Sequence, residues 1–441
     1  MSHLGQEALR RILGGEGGVR ESEEAAEHLV SCDRCRSQAG TVLDGLREER
    51  PGLEGQGAMQ LVLDLIDRER QWGVESLAAI AEWAELRKVS NRRSQRERVR
   101  MSKACHSPAF VELVLGELKE EASWDQAEFL AGLALLAIEG MVQRQLVSLD
   151  AGYALQAEIW TAVANARRRA AEWGRAQKAL DTAKRLLQEG IGNPRLEADL
   201  LSITASTLAD QGQIPKALEA LGKCSTIYEN LSEWALLARA LVKMANVLEP
   251  SEPARGLVVL DRAVPLIPIE DSLLRLFAEM LRVDCLINLQ RPNEALQVFR
   301  RYSHLLTASP RMRPRLRGRF TTARLLDALG FERQAEPVYD EVIAGDIEHE
   351  LYKDAFLDLL YLYGRHMKAG DLEKAVRVCQ KALTDPTLAA AAHEQIRDLW
   401  TQLLEAANHQ AISQERLKDL RVYFSVHWKH PAATPPVVVG R

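Results

Sequence analysis

Apolar residues recur at helical spacing along most of this chain, and few stretches show the strict alternation of a half-buried strand. From Leu4 to Leu13 the pattern is helical, and Gly14-Gly15-Glu16-Gly17-Gly18 breaks it. A second helix, acidic in its first turn at Glu21, Glu23 and Glu24, runs to about Val30. Cys32-Asp33-Arg34-Cys35 then turns the chain, and a third helix carries Val42, Leu43 and Leu46. Pro51-Gly52-Leu53-Glu54-Gly55-Gln56-Gly57 reads as a linker. From Met59 on, helical segments follow one another, separated by short breaks of Gly, Pro, Asn or Asp. Phe129 to Val142 is the most apolar window. It is shorter than the roughly 20 residues a membrane span needs, so it reads as a core helix.

Within these helices a second order appears. Small residues recur with an apolar or aromatic residue four places on and usually a small or apolar one three further. The sets are Ala176/Leu180/Ala183, Ala217/Leu221/Cys224, Gly256/Leu260/Ala263, Ala295/Phe299/Tyr302, Ala335/Tyr339/Val342 and Ala375/Cys379/Ala382. Their leading positions keep a steady period of about 40, and a period in the 20–50 range marks a stacked-repeat architecture. The i, i+4, i+7 spacing puts each set on one helix face, and the small first residue lets two helices approach. A preceding helix is visible in each unit, as in Trp160, Val163 and Ala164 before Ala176. Gly174, Gly212, Gly330 and Gly370 fall between the paired helices, where a C-cap of positive φ is expected.

This pattern resembles the tetratricopeptide repeat, most closely at Lys368-Ala369-Gly370-Asp371-Leu372-Glu373-Lys374-Ala375. Two features depart from that family. The period is nearer 40 than 34, and Arg167 stands where Tyr is usual, although Trp160 fits the first large position. The resemblance covers about 155–410 and implies an α-α superhelix. The expected organisation is a small helical unit at 1–50, a linker at 51–57, hairpins with a degraded pattern at 58–154, the repeat array at 155–410, and a C-terminal helix with a flexible tail at 411–441.

Composition agrees with an all-α globular protein. Apolar residues make up 46% of the 441, charged residues 27% and aromatics only 5%. A net charge of −5 gives no global reason to expect nucleic acid or an anionic membrane as partner. The one dense basic stretch, Arg87 to Lys103 with Arg92, Arg93, Arg96, Arg98 and Arg100, lacks interleaved aromatics and reads as a solvated face or connector. The first residues show no basic region followed by an apolar run, so no secretory signal is expected. Of six cysteines, Cys105, Cys224, Cys285 and Cys379 sit inside apolar helical patterns, where Cys behaves as a small hydrophobe. That scatter is unlike a disulfide framework, and a cytoplasmic location is expected.

The chemically loaded motif is His28-Leu29-Val30-Ser31-Cys32-Asp33-Arg34-Cys35. His28 and Cys32 are i and i+4 and share a face; Cys32 and Cys35 have the C-x2-C spacing that wraps a tetrahedral ion. A helical hairpin brings the start of the first helix near the end of the second, which makes His3 the fourth candidate. The unit resembles the anti-sigma-factor zinc-finger domain, in which an upstream Cys or His precedes H-L-x-x-C-x-x-C at the interval that separates His3 from His28 here. The resemblance implies one structural zinc held by His3, His28, Cys32 and Cys35, with His3 in a place often taken by Cys. In that family the helices around the zinc clamp a sigma factor.

Other chemistry is absent or weak. The Gly14–Gly18 run lacks the strand and the Gly-Lys-Ser/Thr of a phosphate loop. Cys105-His106 precedes what looks like a helix start, and His427 and His430 flank Trp428 near the end. There is no G-x-S-x-G, no kinase signature and no carboxylate pair suited to acid–base work, so no catalytic residue and no small-molecule substrate are expected. The reading is a non-enzymatic regulator: a zinc docking module with a superhelix that binds a protein partner, a sigma factor in the bacterial setting the resemblance implies. The alternative is a scaffold in which the zinc unit only caps the array.

Overall fold

The computed structural model describes residues 3–13, 21, 25, 28–29, 32–49, 75–121, 123–190, 192–308, 312–409 and 412–427. The Gly14–Gly18 loop, the linker expected at 51–57, and Trp428, His430 and the tail beyond lie outside them. All regular structure among the described residues is helical. The chain divides into two compact units, Met1–Glu117 with Gly132–Ser148, and Leu118–Ala131 with Leu149–Arg441. Among the described residues no helix is long and apolar enough to cross a membrane.

The first unit begins with the helices Gln6–Leu13 and Asp33–Glu49, which pack together. Their core is Leu9, Ile12, Leu13, Ala39, Leu43 and Leu46, joined by Ala25 and Leu29 of the intervening segment. Glu21, Ala25, His28 and Leu29, the described residues of the expected second helix, are helical. Further on, the arginine-rich stretch forms the helix Arg92–Met101, capped by Asn91, whose side chain accepts from the Arg93 and Ser94 amides. Only Val99 of this helix is buried. Arg98 pairs with Glu82 at 2.6 Å and Arg93 with Glu97 at 3.3 Å, as a solvated face would. The apolar window at Phe129 lies in the helix Trp124–Gln143 and buries Leu133, Ala134, Ala137, Ile138 and Met141.

The second unit is built from six helical hairpins. Their first helices are Leu149–Arg169, Pro194–Asp210, Trp234–Leu248, Ser272–Asn288, Met312–Ala328 and Tyr352–Ala369. Their second helices are Trp173–Glu189, Ile214–Asn230, Pro253–Ala263, Pro292–Ala308, Glu332–Glu348 and Leu372–Thr384. Every small/bulky/small set of the repeat falls on one of these second helices. All members are buried except Phe299, which is half-buried. Most of these helices run about 25 Å at about 1.5 Å per residue, and their length accounts for the long period.

The turns correct one expectation. Gly212, Gly330 and Gly370 do take positive φ (72°, 83° and 75°), each closing a first helix. Gly174 does not: it lies inside the helix Trp173–Glu189, and the left-handed residue of that turn is Ala171, φ 59°. The bond from the Glu172 amide to the Arg167 carbonyl, 2.9 Å, spans this turn as that from Gln213 to Leu208 spans the next. The hydrogen-bond pattern therefore sets the backbone, and Gly is used at only some of the sites that need it.

First helices of successive hairpins pack on one another, as Leu149–Arg169 does on Pro194–Asp210 and Ser272–Asn288 on Met312–Ala328. Buried charge collects there. Arg324, 4% exposed, sits 2.7 Å from Asp284 and 3.5 Å from Glu249, and donates to Asn288 at 2.8 Å. Arg317 reaches Asp284 at 3.3 Å. Burial opposes the charge on Arg324, but Asp284 and Glu249 outweigh it and hold the guanidinium protonated. Beyond the sixth hairpin, the helix Gln414–His427 packs on Tyr352–Ala369, with Leu417 against Gly364, and also reaches Pro194–Asp210. Phe356, Trp400 and Phe424 form its aromatic core, ring centroids 5.5–6.5 Å apart.

Candidate metal centre

His3, His28, Cys32 and Cys35 come from three separate stretches of the chain, yet their ligand atoms all lie within 4.8 Å of one another. The start of the first helix, the end of the segment bearing Leu29, and the N-terminus of Asp33–Glu49 meet at one point, fixed by the shared core of Leu9, Leu29 and Leu43. Arg11, in the last turn of the first helix, pairs with Glu21 across the Gly14–Gly18 loop.

His3 Nδ1 lies 3.5 Å from Cys32 Sγ and 3.4 Å from Cys35 Sγ, and His28 Nε2 lies 3.3 Å from Cys35 Sγ. A tetrahedron with bonds of about 2.0–2.3 Å to nitrogen and sulfur has edges of roughly 3.3–3.8 Å. Three of the six donor separations thus match those of one tetrahedral ion, the rest lie within 4.8 Å, and the cluster can hold a metal ion. Two thiolates would neutralise a divalent cation. The four donors also make a closed set, the kind used where the metal is structural, whereas catalytic sites keep a position open.

Two contributions could not be read from the sequence. The Leu4 backbone N–H donates to Cys35 Sγ at 3.4 Å, a support that orients and stabilises a buried thiolate. The Cys32–Cys35 segment is also not a free turn as expected: the helix begins at Asp33, so Cys35 occupies its first turn. Burial grades across the site, with Cys35 fully buried, His28 and Cys32 half-buried and His3 exposed.

The other cysteines are unlike these. Burial pushes the Cys105, Cys285 and Cys379 thiols up to about 12 and Cys224 to about 11, which leaves them protonated and unreactive. Cys105 and His106 do not act on each other. Burial raises the thiol against a hydrogen bond with Ser102; burial and Arg144 lower the imidazole. His106 instead packs flat against Gly140, where any Cβ would overlap its ring. The His427 side chain lies outside the described residues.

No protein-family model matches the chain, and no curated protein matches it in sequence. Among solved structures it is similar to a Rap protein crystallised in complex with competence and sporulation factor. Identity is 15% and the TM-score 0.47, over 71% of this chain and 98% of that one. Fold and site together define the class: an all-helical repeat protein carrying a two-histidine, two-cysteine cluster able to bind a metal ion.

Proposed function

We propose that this protein is a non-enzymatic, cytoplasmic regulator in which a structural zinc ion at His3, His28, Cys32 and Cys35 builds a docking module, and the repeat array binds a protein partner. The observation that carries the reading is the convergence of four soft and borderline donors on one tetrahedral volume, in the order and spacing of the anti-sigma zinc-finger pattern. A unit of about 50 residues has little core of its own, so the metal supplies much of its folding free energy. The resemblance supports a sigma factor as the partner clamped by the helices around the ion. The stacked hairpins of the array offer a surface for a second protein contact, through which a soluble signal reaches the module.

Elemental analysis of purified protein is expected to give about one zinc per chain, and Cys32→Ser to abolish it. A zinc-free chain in which Gln6–Leu13 and Asp33–Glu49 stay helical would overturn the metal assignment. Affinity capture from the native cell is expected to recover a sigma factor with the parent chain and none with Cys32→Ser. Recovery of other proteins alone, unaffected by that substitution, would leave the scaffold reading in its place.

A further inference from the structure

Most charge on the first helices of the array is matched. Arg324 lies with Asp284 and Glu249, Arg168 with Asp210, Arg313 with Asp354 and Arg365 with Asp327. Two lysines break this rule. Lys243, half-buried on Trp234–Leu248, donates to the Ser202 hydroxyl at 2.7 Å but makes no ion pair among the described residues. Lys353, half-buried on Tyr352–Ala369, has neither a hydrogen bond nor an ion pair among them.

Each lysine is held where a cation is costly. Burial lowers Lys243 to about 8, and Arg168 adds to the effect. Asp199 favours its charge, but that carboxylate already accepts from the Tyr228 hydroxyl at 2.5 Å. Burial also lowers Lys353, against Asp210 and Asp354, which are engaged by Arg168 and Arg313. Lys353 stands in the first turn of its helix, where the backbone dipole disfavours a cation, and the preceding Leu351 provides no side-chain cap. A charge withdrawn from water without a partner destabilises the fold that holds it. Arg168 acts on both lysines, so the three cations share one neighbourhood although they belong to the first, third and sixth hairpins. They meet beside Pro194–Asp210, whose Ser202 and Asp210 touch Lys243 and Arg168. The helix Gln414–His427 packs on both Pro194–Asp210 and Tyr352–Ala369, which brings the sixth hairpin to the second.

We propose that Arg168, Lys243 and Lys353 form a binding site for a phosphoryl group, carried by a small soluble molecule or present as the free anion. Two ammoniums without a carboxylate call for two negative charges. A carboxylate or a chloride ion brings one, whereas a phosphoryl group brings close to two at neutral pH and offers three oxygens to donors from separate helices. The residue types suit it: Lys meets phosphate as a point charge and Arg through its planar fork. All three side chains are half-buried and so keep surface that a small anion can reach. The site shares no residue with the metal cluster, and neither depends on the other.

Thermal unfolding of the full chain in a phosphate-free buffer tests the proposal, with inorganic phosphate, a simple phosphomonoester or chloride added at matched ionic strength. Phosphate or the ester is expected to raise the melting temperature saturably and chloride to leave it in place, since a ligand of the native state stabilises by mass action. A response to the ester assigns the site to a phosphorylated molecule, and a response to phosphate alone to the free anion. Lys353→Met is expected to shift the half-saturating concentration about tenfold or more upward. It should also leave the phosphate-free chain at least as stable, because the cation it removes has no partner to lose. Lys243→Gln, which keeps a donor for Ser202, is expected to weaken the response likewise. Arg262→Gln, on a second helix and paired with Glu229, is expected to leave it unchanged. No rise with either phosphate compound, an equal rise with chloride, or an undiminished rise in Lys353→Met would overturn the site. So would a Lys353→Met chain that melts lower without phosphate, since that lysine would then be a structural member.

Discussion

At the scale of single residues, the turns of the array show backbone geometry overriding side-chain preference. Positive φ is taken by glycine at 212, 330 and 370, but by Ala171, Ser232, Gln290 and Glu350 elsewhere, at 56–59°. A residue with a Cβ held in that region costs about 1 kcal/mol. Gln290 and Glu350 are exposed and bury nothing that offsets the strain. Gln290→Gly and Glu350→Gly are therefore each expected to stabilise the array by roughly 0.5–1 kcal/mol in urea denaturation. Ala171→Gly is expected to be near neutral, because Ala171 is 3% exposed and losing its buried methyl forfeits about 0.8 kcal/mol. The same residues show what a sequence reveals at this scale. Glycine is a sufficient sign of a left-handed turn only when no other residue of the turn takes that role, and Gly174 stands three positions past Ala171, which does. At the His/Cys cluster His28, Cys32 and Cys35 were legible from spacing, since one helical turn and a two-residue gap fix which atoms can converge. The Leu4 amide was not, because a backbone donor carries no mark in the sequence.

Between elements, the repeat period was the strongest signal. Small residues such as Ala217, Ala335 and Ala375 must recur wherever two helices of a hairpin touch, so the packing constraint is printed once per repeat. The charge network of the first helices left a fainter trace. Asp284 in Arg-Val-Asp-Cys-Leu and Arg324 in Thr-Ala-Arg-Leu-Leu are charges within apolar helical patterns, one repeat apart. Nothing in either stretch says that they face each other, because the pairing depends on how neighbouring hairpins stack. Arg324 is buried with two carboxylates and sits over the Tyr361 ring at 5.3 Å. Arg324→Met leaves Asp284 to Arg317 alone and Glu249 with no ion-pair partner among the described residues, and is expected to cost about 3–5 kcal/mol. Combining it with Asp284→Leu should restore part of that loss, since it removes one of the two buried carboxylates that Arg324 served. Equal losses for the single and double variants, measured by thermal unfolding, would show instead that packing and not charge holds these hairpins together.

For the molecule as a whole, stability should depend on pH in a way that this buried chemistry fixes. Burial first, and then Asp354, raises the Asp346 carboxyl to about 7 against a hydrogen bond with Asp358. A carboxyl raised in the native state favours folding below its unfolded value, near about 3.9, and loses that contribution as pH rises through about 7. His366 runs the other way: burial lowers it, so protonation removes stability as pH falls below about 6.5. The Asp346 contribution is thus expected to disappear between about pH 4 and pH 7, and Asp346→Asn to flatten that arm and raise the melting temperature at pH 8. A slope unchanged by Asp346→Asn would assign the pH dependence to other groups.

The helix Gln414–His427 meets Pro194–Asp210, far earlier in the chain. The joints between consecutive hairpins are local and can form as soon as the next hairpin appears, but this clasp cannot. During synthesis the hairpins emerge from the ribosome in order and stack as they come, while Phe356 and Trp400 wait uncovered for Phe424. The finished form of the array therefore has to wait for a helix made after all six hairpins. Any chaperone that attends this chain has its longest opportunity at the sixth hairpin, in the interval before the helix Gln414–His427 emerges.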